Sequence, residues 1–149
     1  MTCPPGVVQH ESSADEVARL FAVYRRHLRD AGVPGMSADG EYCLLFDGGI
    51  ALAKVVVHAH GWRVSGSNQS RERLLQLCSS ILGRDADSLM AVLEGGRRKR
   101  NRAVHGEAGT LSRREVASLR ETLSDLEQFV RSWITREPPD LLPPELPVG

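Results

Sequence analysis

The sequence predicts an all-α protein, an antiparallel bundle of about five helices. Three observations carry that expectation. Apolar residues recur at helical spacing in five successive stretches. The connections between them are short and hold Gly, Pro and Ser, which stop one helix and cap the next. Aromatic residues make up only 5% of the chain, so the core must rest on Leu, Val, Ile and Ala, which suit helix packing better than a β-sandwich. The 149 residues are enough for one domain with its own hydrophobic core.

Residues 1–10 read as a short flexible lead-in. Ser12 and Ser13, with Asp15 and Glu16, supply N-capping chemistry and the acidic charge that a helix start favours. Val17, Leu20, Phe21, Tyr24 and Leu28 then recur at helical spacing, and Gly32, Pro34 and Gly35 end the helix. Ser37 is positioned to cap a second helix running to about His60. Leu44, Leu45, Ile50, Leu52 and Val55 to Val57 make that helix apolar enough to be central. Gly48 and Gly49 within it imply either close helix approach or a kink, and Gly61 suits the position just past its end. A third helix spans Arg71 to Leu82 and stops at Gly83. Asp85 and Asp87 open a fourth, which carries Leu89, Met90, Val92 and Leu93 into a basic run and ends near Gly106 and Gly109. Ser112 and Glu115 have the spacing of a capping box. The fifth helix, with Val116, Leu119, Leu123, Leu126, Phe129, Val130 and Trp133 on its apolar side, reaches about Thr135. The bundle thus covers residues 11–136. Residues 137–149 hold five prolines and read as an extended tail, with Leu141, Leu142 and Leu146 as its only apolar grip.

The formal net charge is zero, so overall charge implies no polyanionic partner. The distribution is less neutral. Only Lys54 and Lys99 of the 19 basic residues are lysines, and Arg97, Arg98, Lys99, Arg100 and Arg102 lie within six positions. Such a run is either a solvated helix face or a phosphate-binding patch, since the guanidinium fork matches phosphate oxygens. Cys3, Cys43 and Cys78 are widely spaced and odd in number, which argues against a disulfide framework and a zinc site and suggests reduced thiols in a cytoplasm. No cofactor is expected, because no glycine-rich loop follows a strand. No apolar run approaches the roughly 18 residues that span a bilayer, and the N-terminal residues lack a basic region and apolar stretch of a secretory signal. His58 and His60, two residues apart near a helix end, cannot share a helix face, so they are expected to be polar helix-end residues rather than a metal pair.

The sharpest chemical signal lies on the fourth helix. Leu89, Leu93, Gly96, Arg100 and Ala103 follow the spacing of a core-facing stripe, and Arg100 interrupts its apolarity. An Arg there is costly unless paired or functional. It either crosses the bundle to a carboxylate such as Asp47 or Glu41, or it binds a ligand. His105 lies five residues on, a rotation of about 140° away on a regular helix. A helix ending at His105 lets the ring turn back towards Arg100, and the helix C-terminus favours its charged form. The alternatives are a proton-transfer group titrating near neutral pH and a capping histidine without chemistry.

Arg100-Asn101-Arg102-Ala103-Val104-His105 resembles the Arg-x4-His motif of the HEPN superfamily, including the polar residue after the Arg and the setting near the end of a late helix followed by one more. Ala59 to Val64 resembles the end of the long second helix in one branch of small bacterial HEPN proteins. The resemblance covers roughly residues 11–136. It implies a metal-independent endoribonuclease, a toxin or phage-defence effector, with a composite site where two motifs face each other across a homodimer. Arg100 would hold the scissile phosphate. His105 would be general base on the ribose 2′-hydroxyl or acid on the leaving oxygen, and Asn101 would orient one of these groups. Arg97, Arg98, Lys99 and Arg102 would hold flanking RNA phosphates. A nucleotidyltransferase is a further partner the family implies, but it modifies a Tyr two residues after the motif His, where this chain has Glu107. The competing readings are a catalytically silent HEPN module that binds a partner, and a plain helical adaptor with a basic surface.

Overall fold

A computed structural model describes residues 3–65, 70–105 and 109–136. Among them are five α-helices: α1 (Ala14–Ala31), α2 (Ala38–Ala59), α3 (Ser70–Leu82), α4 (Asp87–Val104) and α5 (Arg113–Arg136). A single 3-10 turn, Arg84–Ala86, leads into α4. The all-α bundle is therefore as expected, and α1, α2 and α5 start at the caps read from sequence, whereas α4 starts at Asp87 without a side-chain cap. The Ser13 hydroxyl accepts from the Glu16 N–H at 3.1 Å, and the Ser37 hydroxyl from the Gly40 N–H at 3.0 Å. Ser112 and Glu115 form the reciprocal capping box: the Glu115 N–H donates to Ser112 Oγ at 3.1 Å, and the Ser112 N–H to Glu115 Oε1 at 3.2 Å.

The core is organised around α2. Leu45, Phe46, Leu52, Ala53, Val55, Val56 and Val57 have no exposed surface, and α1, α3, α4 and α5 all pack against this helix. A helix apolar on nearly every side is stable only when surrounded. By length and composition α2 is apolar enough to cross a bilayer, with an 18-residue window of mean hydropathy 1.5. That corrects the expectation that no segment approaches such a length. Here 67% of the window is buried inside the bundle, as befits its central helix.

Gly48 and Gly49 mark close approach rather than a kink. A Cβ on Gly48 would stand 3.1 Å from Leu28 Cδ1 of α1, and one on Gly49 would stand 2.7 Å from Leu93 Cδ2 of α4. The two glycines let α1 and α4 seat their leucines directly on the α2 backbone.

The lead-in is a second correction. Val7–Gln9 form a strand, β1, which pairs antiparallel with β2 (Trp62–Val64) in the register Val7 with Val64 and Gln9 with Trp62. The ladder is extended by the His10 N–H to Gly61 O at 2.8 Å and the Ser65 N–H to Gly6 O at 3.0 Å. Gly61, at φ +99, makes the reversal from α2 into β2. Strands of three residues leave no readable periodicity, and their partners lie more than fifty positions apart. The readings of the Pro-rich tail, of Gly106 as a helix stop and of Glu107 fall outside the described residues.

Adjacent glycines on α4 provide a test of this packing. Gly95 has nothing within 4 Å of an added Cβ, whereas a Cβ on Gly96 would lie 2.9 Å from Tyr42 Oη and 3.3 Å from Phe46 Cδ1, both rings buried. Gly95→Ala should stabilise by about 0.5–1 kcal/mol through helix propensity. Gly96→Ala should lose on the order of 1 kcal/mol net, because overpacking costs about 1–3 kcal/mol against the same gain. Urea denaturation midpoints that move in the same direction for both would refute the close approach of α4 to α2.

Candidate functional site

On α4, Leu93 and Gly96 are buried against α2, and Arg100 follows on the same face. Its side chain is 18% exposed, and its Nε donates to Asp47 Oδ1 at 3.2 Å. Arg71 at the start of α3 brings Nη2 to 3.7 Å of the same oxygen. One carboxylate on α2 therefore faces two guanidiniums, from α3 and α4. Of the two carboxylates open to Arg100 by sequence, Asp47 is its partner. Glu41 is taken instead by α5, with Arg113 Nη1 at 2.7 Å and Arg120 Nη2 at 2.9 Å. Because Asp47 engages Nε, the terminal Nη groups of Arg100 meet no other acceptor among the described residues. The Cys43 thiol, one turn before Asp47, is pushed up by burial, which outweighs the pull of Arg100.

The basic run is not a bare cationic stripe. Arg97 lies 3.1 Å from Glu94 Oε1 and 3.9 Å from Glu72 Oε2, and Lys99 lies 2.9 Å from Glu115 Oε2. Arg98 and Arg102 are exposed, and Arg98 has no ionic partner among the described residues. Arg98 borders a cavity of about 570 Å³ between α3 and α4 that is also lined by Glu72, Asp87 and Glu94. Three carboxylates against one guanidinium make that cavity unsuited to a polyanion.

His105 caps α4 at its C-terminus, with φ −93 and ψ 25, and its N–H donates to Asn101 O at 3.1 Å. Its ring and Asn101 are both exposed. Among the described residues no hydrogen bond or ion pair joins the His105 ring to Arg100. One chain thus presents a half-buried guanidinium beside Asp47 and an exposed imidazole at the helix end. The connection that follows is anchored to the start of α2, where Asp39 accepts from the Gly109 N–H at 2.7 Å and the Leu111 N–H at 3.3 Å.

A second cluster escaped the sequence reading. His58 does not pair with His60, whose ring stands edge-on to Trp62 with centroids 4.5 Å apart. It meets His10 instead, with ring centroids 4.7 Å apart, beside Glu16 of α1. The strand pairing that brings His10 there was itself not legible, and no local spacing links residues 10 and 58.

No family model, curated protein or solved structure matches this chain.

The Glu41 pairs contribute to stability that acid removes. The hydrogen bond from Arg120 is the largest influence, helped by that from Arg113, and together they outweigh burial to hold the Glu41 carboxyl below its ordinary value of 4.5. A depressed folded-state value means stability that is present above 4.5 and lost as the pH falls through the folded value. Glu41→Gln should therefore be less stable than the parent at pH 7, with the gap closing on the acid side of 4.5. Urea midpoints measured on both sides of that value check it, and a gap that stays constant with pH would contradict the assignment.

Proposed function

We propose that this chain is a metal-independent endoribonuclease of the HEPN type, acting as a homodimer in the cytoplasm, where its three free thiols would remain reduced. The observation that carries the proposal is the state of Arg100. It is half-buried on the inner stripe of α4, anchored through Nε by Asp47, and among the described residues its Nη donors meet no other acceptor. A guanidinium held by one edge is pre-oriented to offer the other edge to a phosphate.

The chemistry assigned to these residues is transesterification. His105 takes the proton of a ribose 2′-hydroxyl, O2′ attacks the adjacent phosphorus, and the bond to O5′ breaks as that oxygen receives a proton. The products are a 2′,3′-cyclic phosphate and a free 5′-hydroxyl. Arg100 stabilises the charge that develops on the non-bridging oxygens. The exposed position of His105 suits a group that must meet substrate, and a second copy of the motif supplies the complementary proton transfer. Asn101, one residue after Arg100, orients the reacting groups, and Arg98 and Arg102 hold neighbouring phosphates. Low aromatic content leaves little for base stacking, so cleavage follows RNA shape more than sequence. A toxin or phage-defence role, restrained by a nucleotidyltransferase or another partner, follows from the same resemblance.

One observation favours a second reading. Arg97, Lys99 and Arg100 all face carboxylates of their own chain, so RNA must compete for them. A silent module that docks a partner protein meets no such competition.

The deciding experiment incubates total RNA with the parent and with His105→Ala, both in EDTA. Parent cleavage leaving 2′,3′-cyclic or 3′-phosphate ends, and none by the variant, supports the nuclease. Parental rates from His105→Ala make the silent module the better account, and activity lost in EDTA but restored by Mg²⁺ sinks the mechanism. Arg100→Lys should recover only part of the rate because it loses the fork. Arg98→Ala should mainly weaken binding and lower its salt dependence by about one phosphate contact. Light scattering at micromolar concentration should give a dimer, and a monomer would remove the composite site.

A further inference from the structure

The His10, Glu16 and His58 side chains converge from three separate elements. His10 follows β1, Glu16 sits in the first turn of α1, and His58 lies in the last turn of α2. Glu16 Oε1 is 2.8 Å from His10 Nε2 and 3.5 Å from His58 Nδ1, and one ligand atom from each residue falls within 4.8 Å of the other two. Donors around a tetrahedral zinc-class ion, bound at about 2.0–2.2 Å, stand roughly 3.3–3.5 Å from one another. The cluster is therefore close to that spacing already.

Two further features point the same way. His58 Nδ1 is buried and makes no well-formed hydrogen bond, with only the Glu16 carboxylate 3.5 Å away facing it. Ser12 Oγ donates to Glu16 Oε1 at 2.7 Å, the kind of outer contact that orients a ligating carboxylate. A cavity of about 520 Å³, lined by His10, Glu11, His60 and Trp62 among others, opens at His10, the member of the cluster that borders it.

We propose that His10, Glu16 and His58 form a binding site for a zinc-class divalent cation, with solvent from the adjoining cavity completing its coordination. Two imidazoles and one carboxylate select zinc or a neighbouring transition metal over Mg²⁺ or Ca²⁺, which require oxygen ligands. Binding displaces the Nε2 proton that His10 shares with Glu16, and the proton leaves to solvent. Burial, its largest influence, shifts His58 below its ordinary value despite the Glu16 charge, the direction that favours the neutral, ligating ring. The ion would clamp β1 to α1 and to the end of α2. This site is independent of the nuclease reading. The α4–α5 connection after His105 is anchored at Asp39, and His58 lies nineteen residues further along α2, about 28 Å at 1.5 Å per residue.

The test uses the full chain without a histidine tag, dialysed against chelator and titrated with Zn²⁺, Co²⁺ and Mg²⁺ by calorimetry. Zn²⁺ and Co²⁺ should bind once per chain at micromolar affinity or tighter, and Mg²⁺ should not bind there. Losing an outer contact already costs about 10–100-fold in metal affinity, so His58→Ala and Glu16→Gln should each weaken binding by more than tenfold. His105→Ala should bind like the parent. Added Zn²⁺ should raise the melting temperature of the parent and leave that of His58→Ala unchanged. Circular dichroism confirms that each variant is folded. Should His58→Ala not fold, Glu16→Gln and the parent titration still decide the question. No saturable Zn²⁺ binding by the parent, or equal binding by folded Glu16→Gln, overturns the site. So does an intense thiolate charge-transfer band with Co²⁺, which would place the metal on a cysteine.

Discussion

The apolar surface of α2, from Leu45 to Val57, can leave water only if other helices surround it on every side. Each fully buried Leu, Phe or Val on it contributes roughly 1.5–3 kcal/mol, and Lys54 is the one residue of Gly48–Val57 that reaches solvent. The antiparallel arrangement follows from that demand. α1 closes on Gly48, and α4 and α5 close on Gly49 through Leu93 and Leu123, because those are places where the α2 surface admits another helix closely, while Gly96 of α4 receives Tyr42 and Phe46 of α2. The polar residues of α2 are confined to its ends and one narrow strip, and both candidate sites are built on them.

That confinement explains why charge pairs in this protein tie α2 to its neighbours. Asp39 holds the α4–α5 connection, Glu41 meets α5, and Asp47 meets α3 and α4. His58 closes the far end against α1 and the residue after β1. Carboxylates on a central helix are costly without partners, and α3, α4 and α5 bring arginines to Asp47 and Glu41. The arginine-rich composition thus has a structural use alongside any phosphate binding. It also explains how a chain with five cations in six positions has no net charge and an acidic groove on one side of the same helix.

Arg100 and His105 differ in the kind of constraint each obeys. Arg100 is placed by packing and by charge together: it lies on the inner stripe of α4 and its Nε is tied to Asp47. His105 is placed by the end of a helix alone, with its ring in solvent. A site needing both must gather them from more than the geometry of one helix, which is why a facing second copy is the natural completion of the nuclease reading.

Much of this was legible before any coordinates. Helical period marks the five helices, and Ser13, Ser37 and the Ser112–Glu115 box mark the starts of α1, α2 and α5, because capping and amphipathic spacing are local properties of the chain. The place of Arg100 on the apolar stripe of α4 is local in the same sense. Sequence alone left open whether Arg100 turns to Asp47 or to Glu41, because the answer depends on how α3 and α5 sit around α2. It also could not determine whether Gly48 and Gly49 mean a kink or a contact, which only the leucines of α1 and α4 decide. The β1–β2 pairing and the meeting of His10 with His58 belong wholly to the tertiary structure. They join residues about fifty positions apart through three-residue strands, too short for a periodic signal, and no rule of spacing along a chain foretells which distant side chains packing brings together.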